Sequence, residues 1–151
     1  LQQELAQTPP TVDGKTPLTI EWDVAADAAV VPVPPARLRV ALGNLLDNVA
    51  KFAATTTPWA RVEARRRGDD VVVAVEDRGP GIPAVDRAQL FETGHQIDAE
   101  FTGNVAGVGV GLAMVREITT RLGGRLELHD VVPHGCRFEM TFPLRRPGTQ
   151  R

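Results

Sequence analysis

The chain carries a single cysteine, Cys136, among 151 residues. An intrachain disulfide is therefore excluded, and a cysteine-based zinc site has no ligand set. One lone thiol fits a reducing compartment. No uninterrupted apolar run approaches the roughly 20 residues needed to cross a bilayer, and no signal peptide opens the chain. Net charge is only -2, so the composition carries no general affinity for nucleic acid or an anionic membrane. There are no internal repeats, and the glycine-rich run Gly107-x-Gly109-x-Gly111 is not followed by the Gly-Lys-Ser/Thr of a Walker loop. With 42% hydrophobic and 24% charged residues, the balance is that of an ordinary globular domain, and the length is enough for one real core.

The opening Leu1-Gln2-Gln3-Glu4-Leu5-Ala6 reads like the middle of a helix, so the chain is expected to be a piece of a longer protein. Its lack of a membrane segment then carries no weight for the parent. Residues 1–17 are expected to be a tail or linker from an upstream helical region, 18–144 the domain, and 145–151 a basic tail. Within the first segment, residues 8–17 hold three prolines, a glycine and several threonines, the composition of a surface loop.

Alternation predicts a strand over Leu18 to Val24, and the Ala/Val/Pro-rich stretch from Ala25 to Pro35 predicts a loop or edge. Pro34 and Pro35 then open a helix whose Leu38, Leu42, Leu45, Val49 and Phe52 form one apolar stripe, ended by Thr55-Thr56-Thr57-Pro58. A hairpin follows, Trp59 to Arg67 and Val71 to Glu76 around Gly68-Asp69-Asp70. Pro83 to Phe91 has a short helical pattern, and 93–110 has no period and predicts a mobile loop. Leu112, Val115, Ile118 and Leu122 mark a second amphipathic helix, closed by Gly123-Gly124. Two last strands, 125–129 and 136–142, flank a Pro-His-Gly turn. These elements predict a two-layer α/β (α+β) sandwich, with a mixed, mainly antiparallel sheet and helices on one face.

Three segments could carry chemistry. Asn44, Asn48 and Lys51 recur at i, i+4 and i+7 and share the border of the apolar stripe. An Asn amide oxygen is a hard ligand suited to Mg²⁺, and a lysine one turn on can meet phosphate as a point charge. Asp77 ends a strand and enters Gly79-x-Gly81, where a carboxylate can accept from an adenine amino group and glycines let the backbone approach a flat base. Gly107-Val108-Gly109-Val110-Gly111-Leu112 opens a helix whose N–H groups suit phosphate oxygens. It is not a dinucleotide fingerprint, since its third glycine falls early and a loop precedes it. Singly, a solvated helix edge or a common turn accounts for each; the ordered set describes a pocket for a nucleoside triphosphate held through a metal ion.

That order, with Leu90-Phe91-Glu92 between the loops, resembles the catalytic ATP-binding domain of sensor histidine kinases, in the GHKL group with gyrase, Hsp90 and MutL. The resemblance runs from about Arg37 to Leu144 and implies a Bergerat-type fold binding ATP and Mg²⁺. It implies that Asn48 ligates the metal, Lys51 touches phosphate, Phe52 lies near the base, and Asp77 reads adenine with Gly79, Gly81 and Ile82 lining the base pocket. Residues 93–106 would form the lid, and Gly107 to Leu112 would bind phosphates. Gyrase-like ATPases carry a glutamate as general base one turn before the metal-binding asparagine. Here Asn44 replaces it and cannot take a proton at neutral pH, which favours phosphoryl transfer to a histidine over hydrolysis.

The implied function is transfer of the ATP γ-phosphoryl group to a histidine on the parent's own upstream dimerisation domain, for relay to a cognate response regulator. The parent is expected to be a homodimer anchored in the bacterial cell membrane, with this domain in the cytoplasm. A GHKL-type ATPase or a non-catalytic nucleotide-binding module is the alternative. No catalytic residue is assigned within the chain: His129-Asp130-Val131-Val132-Pro133 falls one residue short of an acceptor pattern, and His95 and His134 have none. Two departures stand out. No Lys or Arg lies between Arg87 and Arg116, with Thr93 and Gln96 where relatives often have arginines. Arg137 also stands where relatives often carry a threonine near the adenine.

Overall fold

The computed structural model describes residues 11–12, 16–28, 31–52, 58–88, 90–91 and 111–144. A two-stranded ribbon, β1 (Thr11–Val12) and β2 (Thr16–Pro17), precedes β3 (Thr19–Val24) and a 3-10 turn at Ala26–Ala28. Then come α1 (Pro35–Phe52), the hairpin β4 (Trp59–Arg67) and β5 (Asp70–Asp77), and the short α2 (Ala84–Arg87). The chain closes with α3 (Gly111–Arg121), β6 (Arg125–Asp130) and β7 (Cys136–Pro143).

The main sheet has the order β3-β4-β5-β7-β6. Only β3 and β4 run parallel; the other neighbours are antiparallel. The predicted α/β sandwich is therefore present, with a mixed, mainly antiparallel sheet and α1 and α3 packed together on one face. The ribbon departs from the expected loop over residues 8–17, its partners being Thr11 with Pro17 and Val12 with Thr16. The helix expected from Pro83 to Phe91 shrinks to Ala84–Arg87. Beyond it Leu90 drops into the core, and Phe91 meets Phe138 edge-on with centroids 6.5 Å apart.

Alternation decides what each face holds. Ala60, Val62 and Ala64 of β4, Val71, Val73 and Val75 of β5, and Phe138, Met140 and Phe142 of β7 turn toward the helices. Leu42, Leu45, Leu46 and Val49 of α1 and Val115 of α3 fill the other side of this core. The opposite face is ionic. Arg61 pairs with Glu21, Arg65 with Asp23, Arg67 with Glu139, and Arg137 with Glu63, Glu76 and Glu139. Beneath these long side chains Val72 and Ala74 are nevertheless buried: Ala74 sits between Glu63 on β4 and Glu139 on β7. The aliphatic stems cover the strand while the charged heads neutralise one another.

Glu139 is only 5% exposed. Burial opposes its charge, but Arg67 and Arg137 outweigh that and hold its carboxyl below the ordinary range. Glu127 and His129 bring ligand atoms within 4.8 Å of those of Glu139. Arg125 already occupies Glu127 and two guanidiniums occupy Glu139, so the cluster behaves as part of the ion network. No helix among the described residues is long and apolar enough to cross a membrane.

Candidate functional site

The stripe that seats α1 on the sheet leaves Asn44 and Asn48 half-buried at its border and Lys51 exposed one turn on. Asn44 is committed to the protein. Its Nδ2 donates to the Val40 carbonyl at 2.9 Å and lies 3.8 Å from Met114 Sδ. Its Oδ1 faces the first residue of α3, since a Cβ built on Gly111 would sit 3.0 Å away. Asn44 thus joins α1 to the start of α3. Leu112, one residue further, packs against the core.

Asn48 behaves differently. Its Nδ2 is buried and has no hydrogen-bond partner among the described residues. An orphaned amide donor costs about 1–3 kcal/mol, and such groups call for a partner outside the chain or a specific role. The side chain of Phe52 lies outside the described residues. So do Gly107, Val108, Gly109 and Val110, together with the segment 93–106 that includes Thr93 and Gln96.

The second cluster forms at the end of β5. Asp77 is half-buried, and its Oδ1 accepts from the backbone N–H of Gly79 at 2.8 Å and of Cys136 at 3.2 Å. Among the described residues no donor reaches Oδ2. Burial pushes the Asp77 pKa above the ordinary carboxylate value, the two amides pull it partly back, and neighbouring Glu76 adds a smaller upward push. The loop turns at Gly81, where φ is +82°, a conformation that L side chains rarely adopt.

The turn between β6 and β7 backs this loop. A Cβ on Gly135, which has φ +130°, would lie 2.1 Å from the Asp77 carbonyl oxygen, so no side chain fits there. His134 Nδ1 lies 3.1 Å from the Gly79 carbonyl, and because a carbonyl only accepts, that nitrogen carries the proton. Arg87 donates to the Ile82 carbonyl from Nε at 3.2 Å and Nη2 at 3.1 Å, and Nη2 also pairs with Asp130. Beside Asp77, Arg78 stacks its guanidinium 4.2 Å over the Trp59 ring.

Arg137 is not part of this cluster. Its guanidinium points to the outer face, held by Glu63, Glu76 and Glu139. The strand's alternation instead places Cys136 on the Asp77 side, where its N–H meets the carboxylate. Burial and then the Asp77 charge push the Cys136 thiol up to about 12, so it stays protonated at neutral pH. The sequence showed Cys136 only as a redox clue, and Arg87, His134 and Gly135 not as site residues. The Pro-His-Gly turn was visible, but its packing against Asp77 was not.

The structure therefore joins Asn44 to Gly111, and Asp77 to Gly79, Gly81, Ile82 and the β6–β7 turn. Residues 34–146 match the family described as histidine kinase-, DNA gyrase B-, and HSP90-like ATPase. The chain belongs to this family. Over 132 residues it is 33% identical to the circadian input-output histidine kinase CikA of Synechococcus elongatus, covering 86% of this chain and 17% of that protein. Over 106 residues it is 36% identical to the virulence sensor histidine kinase PhoQ of Salmonella typhimurium, covering 70% of this chain and 20% of that protein.

Among solved structures, the mycobacterial sensor histidine kinase MprB aligns with TM-score 0.62 and 29% identity, over 82% of this chain and 83% of that one. The catalytic domain of histidine kinase ThkA shares the fold at TM-score 0.70 and 17% identity, over 94% and 85%. The chain spans about a fifth of the length of the curated relatives it matches. It is an ATP-binding catalytic domain of the sensor histidine kinase type.

Proposed function

We propose that this domain binds ATP through Mg²⁺ and supplies the γ-phosphoryl group to a histidine on an upstream dimerisation domain of its parent, for relay to an aspartate of a response regulator. The observation that carries the choice of transfer over hydrolysis is Asn44. Where a hydrolytic relative needs a carboxylate base, this chain has an amide whose nitrogen is bonded to Val40 and Met114 and whose oxygen faces Gly111. Nothing at that position can take a proton from water at neutral pH. The alternative acid, Asp47, is exposed, and neighbours on a helix point about 100° apart.

Asn48 fits a Mg²⁺ ligand. Its amide is half-buried, yet among the described residues its nitrogen has no hydrogen-bond partner, so the oxygen can be turned to a hard cation that keeps several waters and takes phosphate oxygens. When bound, the ion neutralises phosphate charge. Lys51 adds one exposed positive charge a turn away, and the N–H groups opening α3, with Gly107 to Leu112 as the phosphate segment, supply donors. Asp77 offers Oδ2 to the adenine amino group, with Gly79, Gly81 and Ile82 around the base and Phe52 near it. Catalysis then rests on positioning and charge neutralisation.

The unit that does this is 18–144, flanked by a linker and a basic tail. The parent is read as a homodimer anchored in the bacterial cell membrane, with this domain on the cytoplasmic side where ATP is available. Incubating the full-length parent with ATP labelled at the γ position tests the reading. Acid-labile, base-stable phosphate on the protein is the expected result. Sustained phosphate release by the isolated chain, with no protein-bound phosphate, would instead place it among the hydrolytic relatives.

A further inference from the structure

The loop that carries the base-pocket residues packs Ile82 against the core and is tied down further by the β6–β7 turn and by Arg87. Gly79 is held through its carbonyl by His134, and the Asp77 backbone presses on Gly135. Ile82 is held through its carbonyl by both Nε and Nη2 of Arg87, which crosses to Asp130 at the end of β6. Just as His134 links the Gly79 carbonyl to the β6–β7 turn, Arg87 thus links the Ile82 carbonyl to the end of β6. It belongs to a four-residue helix with no buried residue and no side-chain cap, so packing does little to hold that segment in place.

We propose that Arg87 is a positioning residue for the nucleotide base. Its fork on Ile82 and its ion pair with Asp130 hold the Gly79–Ile82 loop against the β6–β7 turn, in the shape that presents Asp77 to the adenine amino group. Arg87 touches neither the triphosphate nor the metal in this arrangement. It rests on the nucleotide reading given above and assigns a separate role within it. Without the latch, the loop samples other shapes, and only the fraction in the receptive one binds the base.

The test separates base from phosphate. Affinities of the chain for MgATP and for magnesium tripolyphosphate, which has no base, are measured by calorimetry for wild type, Arg87→Ala, Arg87→Lys and Asp130→Asn. Arg87→Ala is expected to weaken ATP about tenfold, the scale of one charge-assisted hydrogen bond, and to leave tripolyphosphate unchanged. Arg87→Lys, which can still donate to Ile82 and pair with Asp130, should recover most of the loss. Asp130→Asn removes only the exposed half of the latch and should cost about threefold for ATP alone.

Equal losses for ATP and tripolyphosphate, or unchanged ATP affinity in Arg87→Ala, would overturn the proposal. If Arg87→Ala fails to fold, the Asp130→Asn result decides by the same criterion. Asp77→Ala in the same series keeps the two claims apart. If it loses ATP while Arg87→Ala does not, the latch is wrong and the nucleotide reading stands. If it binds ATP as wild type does, the nucleotide reading falls and takes the latch with it.

Discussion

Replacing Asp77 by asparagine separates its task as a base reader from its task as a loop anchor. The N–H groups of Gly79 and Cys136 require an acceptor from whatever stands at position 77. An asparagine therefore keeps its oxygen on them and turns its NH₂ to where Oδ2 now lies. An adenine amino group arriving there meets a donor in place of an acceptor. A hydrogen bond to a charged partner is worth about 1.5–3 kcal/mol, so ATP affinity should fall about 10- to 150-fold at about 1.4 kcal/mol per decade. Guanine offers its O6 acceptor instead, so discrimination between ATP and GTP should narrow.

Stability should move the other way. Burial raises the Asp77 pKa, so the folded state prefers the neutral acid. A group of that kind adds stability below its unfolded pKa, and the addition is lost as pH rises through the folded value. At neutral pH the ionised carboxylate is a net cost to the fold, and Asp77→Asn should melt no lower than wild type. The same raised pKa makes wild-type ATP affinity decline on acidification at a pH above the ordinary aspartate range. Competition titrations with ATP, GTP and tripolyphosphate, paired with thermal melts, check all of this. Unchanged ATP affinity in a folded Asp77→Asn chain would refute the reasoning, as would equal losses for ATP and tripolyphosphate.

Two further outcomes follow from contacts away from α1. Arg137→Met leaves Glu63, Glu76 and Glu139 sharing the outer face with one fewer cation; breaking such a largely buried pair should cost about 3 kcal/mol in urea unfolding. Because Glu139 has a depressed pKa, its contribution is present above the unfolded carboxylate value and lost as pH falls through the folded one, so the wild type's advantage over Arg137→Met should shrink in acid. Gly135→Ala forces a Cβ against the Asp77 carbonyl at a positive φ, and should cost about 2–5 kcal/mol and weaken ATP binding together, read by melting and calorimetry.

Most of the layer structure could be read from local pattern, because burial alternates along strands and recurs along helices. The stripe of Leu42, Leu45 and Val49 appears in the structure as predicted, and Val62 and Ala64 turn inward along the strand predicted over Trp59 to Arg67. What escaped was set by partners distant in sequence. The parallel pairing of β3 with β4 leaves no local mark, because a parallel partner is joined through the whole of α1. The ribbon at Thr11–Val12 and Thr16–Pro17 is too short for any period to show.

At the site, Asn44, Asn48 and Asp77 announced themselves by residue type and spacing. Arg87 and Gly135 did not, since an arginine on a short helix and a glycine in a turn are unremarkable until Ile82 and Asp77 are seen beside them. Arg137 lies on the outer face for a related reason: a one-residue step along β7 exchanges the two faces, and it is Cys136 that faces Asp77.

The central claim is that Asn48 holds nucleotide through a metal ion, and calorimetric titration of ATP into wild type and Asn48→Ala, with and without Mg²⁺, addresses it most directly. Among the described residues the Asn48 nitrogen has no partner, so the substitution should leave the melting temperature near that of wild type. The account predicts Mg²⁺-dependent binding by wild type and none by a fully folded Asn48→Ala. Equal Mg²⁺-dependent affinity in the two proteins would contradict it.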